Sequence, residues 1–196
     1  MKHLLITGFD PFGGETVNPS WEAVRRLPDA VGQYRLTKLQ IPTVFSAAAD
    51  TVLATAKADK PDVILCIGQA GGRDAVTPER IAVNIASAKT PDNAGNLPVE
   101  APNDPAGPDG IFATVPVVAM AEAIIAAGLP GKISYTAGTY VCNDTLYRLL
   151  RHYAGTSVKV GFIHVPCLPE QAAAGAPSMT LEEIIAALTA AVGSLK

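Results

Sequence analysis

The 196-residue chain predicts an α/β fold: a three-layer α/β/α sandwich on a mostly parallel, twisted sheet. Three observations carry this reading. The run Asp62-Val-Ile-Leu-Cys-Ile67 is continuously apolar and bounded by turn residues, as a strand buried on both faces would be. Such runs alternate along the chain with stretches of helical spacing, the pattern of parallel strands joined by helical crossovers. No internal repeat or linker interrupts the alternation, so residues 1–196 read as one domain with ample chain for a core.

Taken in order, Leu4-Leu-Ile-Thr7 is a short apolar strand that runs into the turn-rich Gly8-Phe-Asp-Pro-Phe-Gly-Gly-Glu15. Asn18 and Pro19 give a helix start, cap then first helical position, and Trp21, Val24 and Leu27 supply its apolar face. Residues 34–41 alternate and read as a second strand. Ser46 is positioned to cap an Ala-rich helix ending near Lys57. After the strand at 62–67 comes the loop Gly68-Gln-Ala-Gly-Gly-Arg73, then a strand over 80–86. Residues 91–110 form a long connection rich in Pro, Asp, Asn and Gly, a length that in a compact fold points to a lid or an oligomer contact. A helix over 117–127, a strand over 132–135, a helix over 144–152 and a strand over 158–165 follow. Thr180-Leu-Glu-Glu183 is a capping-box pattern for a last helix that Gly193 stops.

Composition narrows the function classes. Apolar residues are 48% and charged residues 17%, with a net charge of −3 and no Lys/Arg cluster, so neither a nucleic acid nor an anionic membrane is an expected partner. The most membrane-like stretch, residues 111–129, contains Pro116 and Glu122 and reads as a buried helix. Three cysteines at no metal spacing suit neither a disulfide framework nor a metal site, and they fit a reducing cytosol. No cofactor is expected. The Gly-rich loop at 8–14 lacks the Lys and Ser/Thr of a phosphate loop, because Gly13 is followed by Gly14 and Glu15.

The chemistry concentrates on Ser134-Tyr-Thr-Ala-Gly-Thr-Tyr-Val-Cys-Asn143. It places Cys142 at or just before a helix start, where free N–H groups and the helix dipole would lower a thiol's pKa and offer a donor to an oxyanion. Cys66, inside an apolar run, reads as a core residue. His164 stands at the end of another apolar strand as a base for the thiol, and Glu79 as a carboxylate that could orient it. The bland alternatives are a buried thiol, a hydrogen-bonded core histidine and a surface ion pair of Glu79 with Arg80. Gly8, Gly68, Cys142 and His164 all fall near predicted strand ends, where sites gather in open parallel sheets, so they should converge.

Several blocks in one order carry a family resemblance. Thr7-Gly-Phe-Asp-Pro-Phe-Gly-Gly-Glu15 with Asn18-Pro-Ser20, the Gly68–Arg73 loop continuing into Thr77-Pro-Glu-Arg-Ile-Ala-Val-Asn84, the block ending in Cys142-Asn143, and Phe162-Ile-His-Val-Pro-Cys-Leu-Pro-Glu-Gln171 resemble pyroglutamyl peptidase I, the C15 family of cysteine peptidases. The resemblance implies hydrolytic removal of an N-terminal pyroglutamyl residue from peptides through a thioacyl intermediate. It puts the nucleophile on Cys142, the histidine on His164 and the catalytic glutamate on Glu79. Phe9, Phe12, Gln69 and Val141 would surround the substrate ring, and the resemblance further implies a cytoplasmic homotetramer. Two residues depart from the pattern: Asp144 stands where a His is expected and Cys167 where an aromatic is expected, which bears on subsite shape. The competing readings are an enzyme of the purine-nucleoside phosphorylase type on a related sheet and a non-catalytic small-molecule-binding module.

Overall fold

The structure, a computed structural model, describes residues 1–196. Its elements in chain order are β1 (Lys2–Phe9), α1 (Pro19–Arg26), β2 (Ala30–Val31), β3 (Tyr34–Ile41), α2 (Ala47–Asp59), β4 (Val63–Gln69), β5 (Thr77–Pro78), β6 (Ile81–Val83), β7 (Gly110–Phe112), α3 (Val117–Ala126), α4 (Val141–His152), β8 (Lys159–Val165) and α5 (Leu181–Gly193). Six strands form one sheet in the order β2-β3-β1-β4-β8-β5. The central four are parallel, and the two-residue strands at the edges run antiparallel to their neighbours. Short antiparallel edges leave little unpaired backbone to a stray strand.

Alternation along the strands sorts the core into two layers. Leu4 and Ile6, with Leu65, Ile67, Ile163 and Val165, pack under α1, α3 and α5. Leu5 and Phe9, with Ile64, Cys66, Val160 and Phe162, pack under α2 and α4. The predicted sandwich is therefore present, with both faces of the parallel strands covered. Gly8 shows why one helix sits so close: a Cβ there would meet the Trp21 backbone at 2.5–2.6 Å, so the start of α1 rests directly on β1. Asn18 caps α1 as expected, accepting from Ser20 N–H, and its neighbour Ser20 Oγ accepts from Phe9 N–H at 3.0 Å.

Four expectations change. Residues 132–135 are not a regular strand; they run parallel to 76–80 with isolated bridges at Gly131 and Ser134, opposite Val76 and Glu79, and backbone hydrogen bonds from Lys132 N–H to Val76 O and from Ser134 N–H to Pro78 O. The strand at 80–86 shrinks to β6, which pairs with β7 in a separate two-stranded ribbon. Helix α4 begins at Val141, earlier than the predicted start at 144, so Cys142 lies inside its first turn. Ser46 does stand before α2, but at φ +62 and with no capping bond from its side chain. Its own N–H instead donates to Asp144 Oδ2 at 2.8 Å, which fastens the start of α2 to α4. The connection at 91–110 has no regular element until β7, and Asp92 knots it, accepting from Phe45, Ala94 and Asn96 N–H. No helix is long and apolar enough to cross a membrane.

Candidate active site

His164 is the next-to-last residue of β8 and pairs in register with Gly68 of β4. In a parallel pair the two positions face the same side of the sheet about 4.8 Å apart. The missing side chain of Gly68 leaves a space beside the imidazole, and Cys142 fills it: a Cβ on Gly68 would lie 3.0 Å from Cys142 Sγ and 2.7 Å from the Phe162 ring. Phe162 in turn stacks at 4.8 Å between ring centroids on His164. The thiol and the imidazole thus share one pocket on the α2/α4 face, over the carboxyl ends of β4 and β8.

Glu79 is wholly buried and its Oε1 lies 2.7 Å from His164 Nδ1. A carboxylate can only accept, so Nδ1 carries the proton and Nε2 is left as the basic nitrogen. The expected alternative, an ion pair with Arg80, is absent. Arg80 lies over the Phe112 ring at 5.0 Å, and the cation at Glu79 is Arg73, 2.8 Å from the same Oε1. Sequence reasoning missed Arg73, because contacts made across a loop have no periodic signature.

The first turn of α4 has no side-chain cap, and the N–H groups of Val141, Cys142 and Asn143 reach no acceptor on another residue. Such groups are the donors an oxyanion needs. The lowered thiol pKa expected from this position is not what the surroundings produce. Burial pushes the Cys142 thiol up to about 12, the Glu79 carboxylate adds to the rise, and Arg73 and the backbone N–H oppose it only in part. Burial lowers His164 below the ordinary imidazole value, against the pull of its Glu79 hydrogen bond. Both shifts favour the uncharged forms, thiol and imidazole.

The other expected residues divide. Phe9 and Val141 are buried on the Cys142 face, with Phe9 6.2 Å from the Phe162 ring. Phe12 is half-buried and faces Tyr140, which also meets Phe45 edge-on. Gln69 follows the alternation of β4 to the side of Leu65 and Ile67, opposite Gly68, where its amide N–H donates to Cys167 Sγ at 3.1 Å. Cys167 therefore contacts Gln69. Asp144 is buried, accepting from Ser46 N–H and Arg148 Nε. Several surface grooves, such as the one of about 440 Å³ between Val17 and Leu181, lie away from Cys142 and His164.

No group of three or more His, Cys, Asp or Glu side chains is arranged to hold a metal ion. An α/β enzyme whose thiol, imidazole and carboxylate stand in this relation falls in the class of cysteine peptidases. Comparison with known proteins narrows the class. Residues 2–196 match the family model for pyroglutamyl peptidase. A pyrrolidone-carboxylate peptidase of Levilactobacillus brevis is 50% identical over 196 residues, covering 98% of this chain and 96% of the relative. The crystal structure of pyroglutamyl peptidase I from Bacillus amyloliquefaciens superposes with a TM-score of 0.95 at 44% identity, over 99% of this chain and 96% of that one. The pyrrolidone carboxyl peptidase of Thermococcus litoralis gives 0.93 at 35% identity, over 99% and 93%. The chain belongs to the pyroglutamyl peptidase family.

Proposed function

We propose that this protein is a cysteine exopeptidase that hydrolyses the amide between an N-terminal pyroglutamyl residue and the rest of a peptide. The observation that carries the reading is the placement of Cys142 Sγ over Gly68, in register with an imidazole that Glu79 holds by Nδ1. As the substrate carbonyl arrives, His164 Nε2 takes the thiol proton and Sγ bonds to the carbonyl carbon. The oxyanion that forms faces the free N–H groups at the start of α4, of which Cys142 N–H is the nearest to Sγ along the chain. The C–N bond then breaks and the imidazolium returns the proton to the leaving amine. Water, deprotonated by His164, attacks the thioester; free 5-oxoproline leaves and Sγ regains its proton.

Surroundings that favour the uncharged thiol and imidazole suit this general-base route. Glu79 stabilises the imidazolium as it forms. Phe9, Phe12 and Val141 supply apolar surface for an uncharged ring on the face where Cys142 stands. The half-exposed Leu97 and largely exposed Val99 of the long connection support a homo-oligomeric contact there, which light scattering would read as a tetramer. A cytoplasmic location fits the three free thiols. Release of a chromophore from a pyroglutamyl amide tests the activity: it should be abolished by thiol alkylation, and absence of turnover in the presence of a reductant would defeat the reading.

A further inference from the structure

Arg73 closes the loop after β4, where Gly72 takes φ +82 and Arg73 N–H reaches back to Ala70 O. Its guanidinium has three partners. Nη1 donates to Glu79 Oε1 at 2.8 Å and to Thr77 Oγ1, and Nη2 donates to Thr136 O at 3.0 Å. Glu79 Oε1 is the oxygen that receives His164 Nδ1–H, whereas Oε2 is buried with no partner. Thr136 begins the loop that leads into α4 and Cys142, and its Oγ1 accepts from Gly138 N–H. One side chain therefore joins the carboxylate behind the base to the backbone that carries the nucleophile.

We propose that Arg73 is a positioning residue for the reaction: its planar fork fixes Glu79 and the Thr136 loop in one geometry, so that imidazole and thiol keep their relative placement. This deepens the peptidase reading and rests on it. The terminal torsion of a glutamate is broad, and an unpartnered Oε2 gives the carboxylate freedom to turn away from Nδ1. A guanidinium offers donors in fixed directions to two acceptors at once, which a lysine ammonium does not. The side chain is 24% exposed, and its contacts lead to Glu79, Thr77 and the Thr136 loop, so it acts through Glu79 and the loop.

The test is steady-state hydrolysis of a pyroglutamyl amide by wild type, Arg73→Lys, Arg73→Met, Glu79→Gln, the Arg73→Met/Glu79→Gln double variant and Cys142→Ser, each with its melting temperature. Misplacement of this kind costs on the order of 10²-fold. Arg73→Met should lose about that much in kcat with KM nearly unchanged, and Arg73→Lys should recover part of it. In the double variant the loss should be little more than for Glu79→Gln alone, because both changes cut one linkage. The double variant also removes the unpaired buried charge, so it keeps the test if Arg73→Met does not fold. Independent, multiplying losses, an unchanged kcat, or a raised KM at full kcat would each overturn the role of Arg73. Full turnover by Cys142→Ser would instead overturn the site itself.

Discussion

Two helices of this protein begin in opposite ways. At α5, Thr180 Oγ1 accepts from Glu183 N–H and Glu183 Oε2 accepts from Thr180 N–H, a closed capping box. At α4, Tyr140 contributes no cap and the first N–H groups reach no acceptor on another residue. A cap is worth about 1 kcal/mol, so α4 forgoes local stability that α5 takes. Its start is held from the side instead: Tyr140 Oη donates to Pro91 O, Thr139 Oγ1 to Ser87 O, and the Asn143 amide ties Val83 and Ile85. Donors left free on a braced backbone are preorganised for a developing anion, which is where such groups act most strongly on a rate.

The contrast can be broken at either helix. The largest effect is expected for Cys142→Ser: hydrolysis should fall by at least about 10³-fold with a melting temperature close to wild type, because the site and not the fold is lost. Gly68→Ala comes next. Its methyl would press on Cys142 Sγ and Phe162, so kcat should drop about 10²-fold, with a stability loss of about 1–3 kcal/mol by urea unfolding.

An effect of pH follows from His164, whose buried imidazole is harder to protonate than a free one. The acid limb of kcat/KM should therefore lie below about pH 6.5, the ordinary imidazole value. In the unfolded chain the same ring takes up its proton near that value, while the native ring does so only at lower pH. The unfolded state then binds more protons, and stability falls as pH drops through this window. Comparing urea midpoints at neutral and acid pH checks it: the drop should be smaller in His164→Gln than in wild type. The smallest effect belongs to α5, where Thr180→Ala should cost about 1 kcal/mol and leave kcat untouched.

The legible parts of the fold and site were those governed by periodicity. The runs at 4–7, 62–67 and 158–165 are strands because their side chains are apolar on both faces, and strand ends then put Gly68 and His164 together. The Thr180 and Asn18 caps were legible because they are local. Residues 132–135 were half legible: they do lie parallel to the segment at 76–80, but only isolated bridges at Gly131 and Ser134 form there. Gln69 turns to the side that the alternation of β4 dictates, opposite Gly68, so that much was readable, whereas the partners of Arg73 and Asp144 were not. Arg73 depends on how its loop closes over the sheet end, and Asp144 on the packing of α2 against α4, where it accepts from Ser46 N–H and Arg148. The thiol pKa was misjudged because helix-start donors are visible in sequence, whereas the depth of burial and the approach of Glu79 are not.

The most direct measurement is to trap the acyl-enzyme. Acid quenching during turnover of a slowly hydrolysed pyroglutamyl thioester, followed by peptide mapping, should find one 5-oxoprolyl group on the peptide containing Cys142 in wild type and none in Cys142→Ser. An acyl group on Cys66 or Cys167 instead, or turnover undiminished in Cys142→Ser, would contradict the nucleophile placed at the open start of α4.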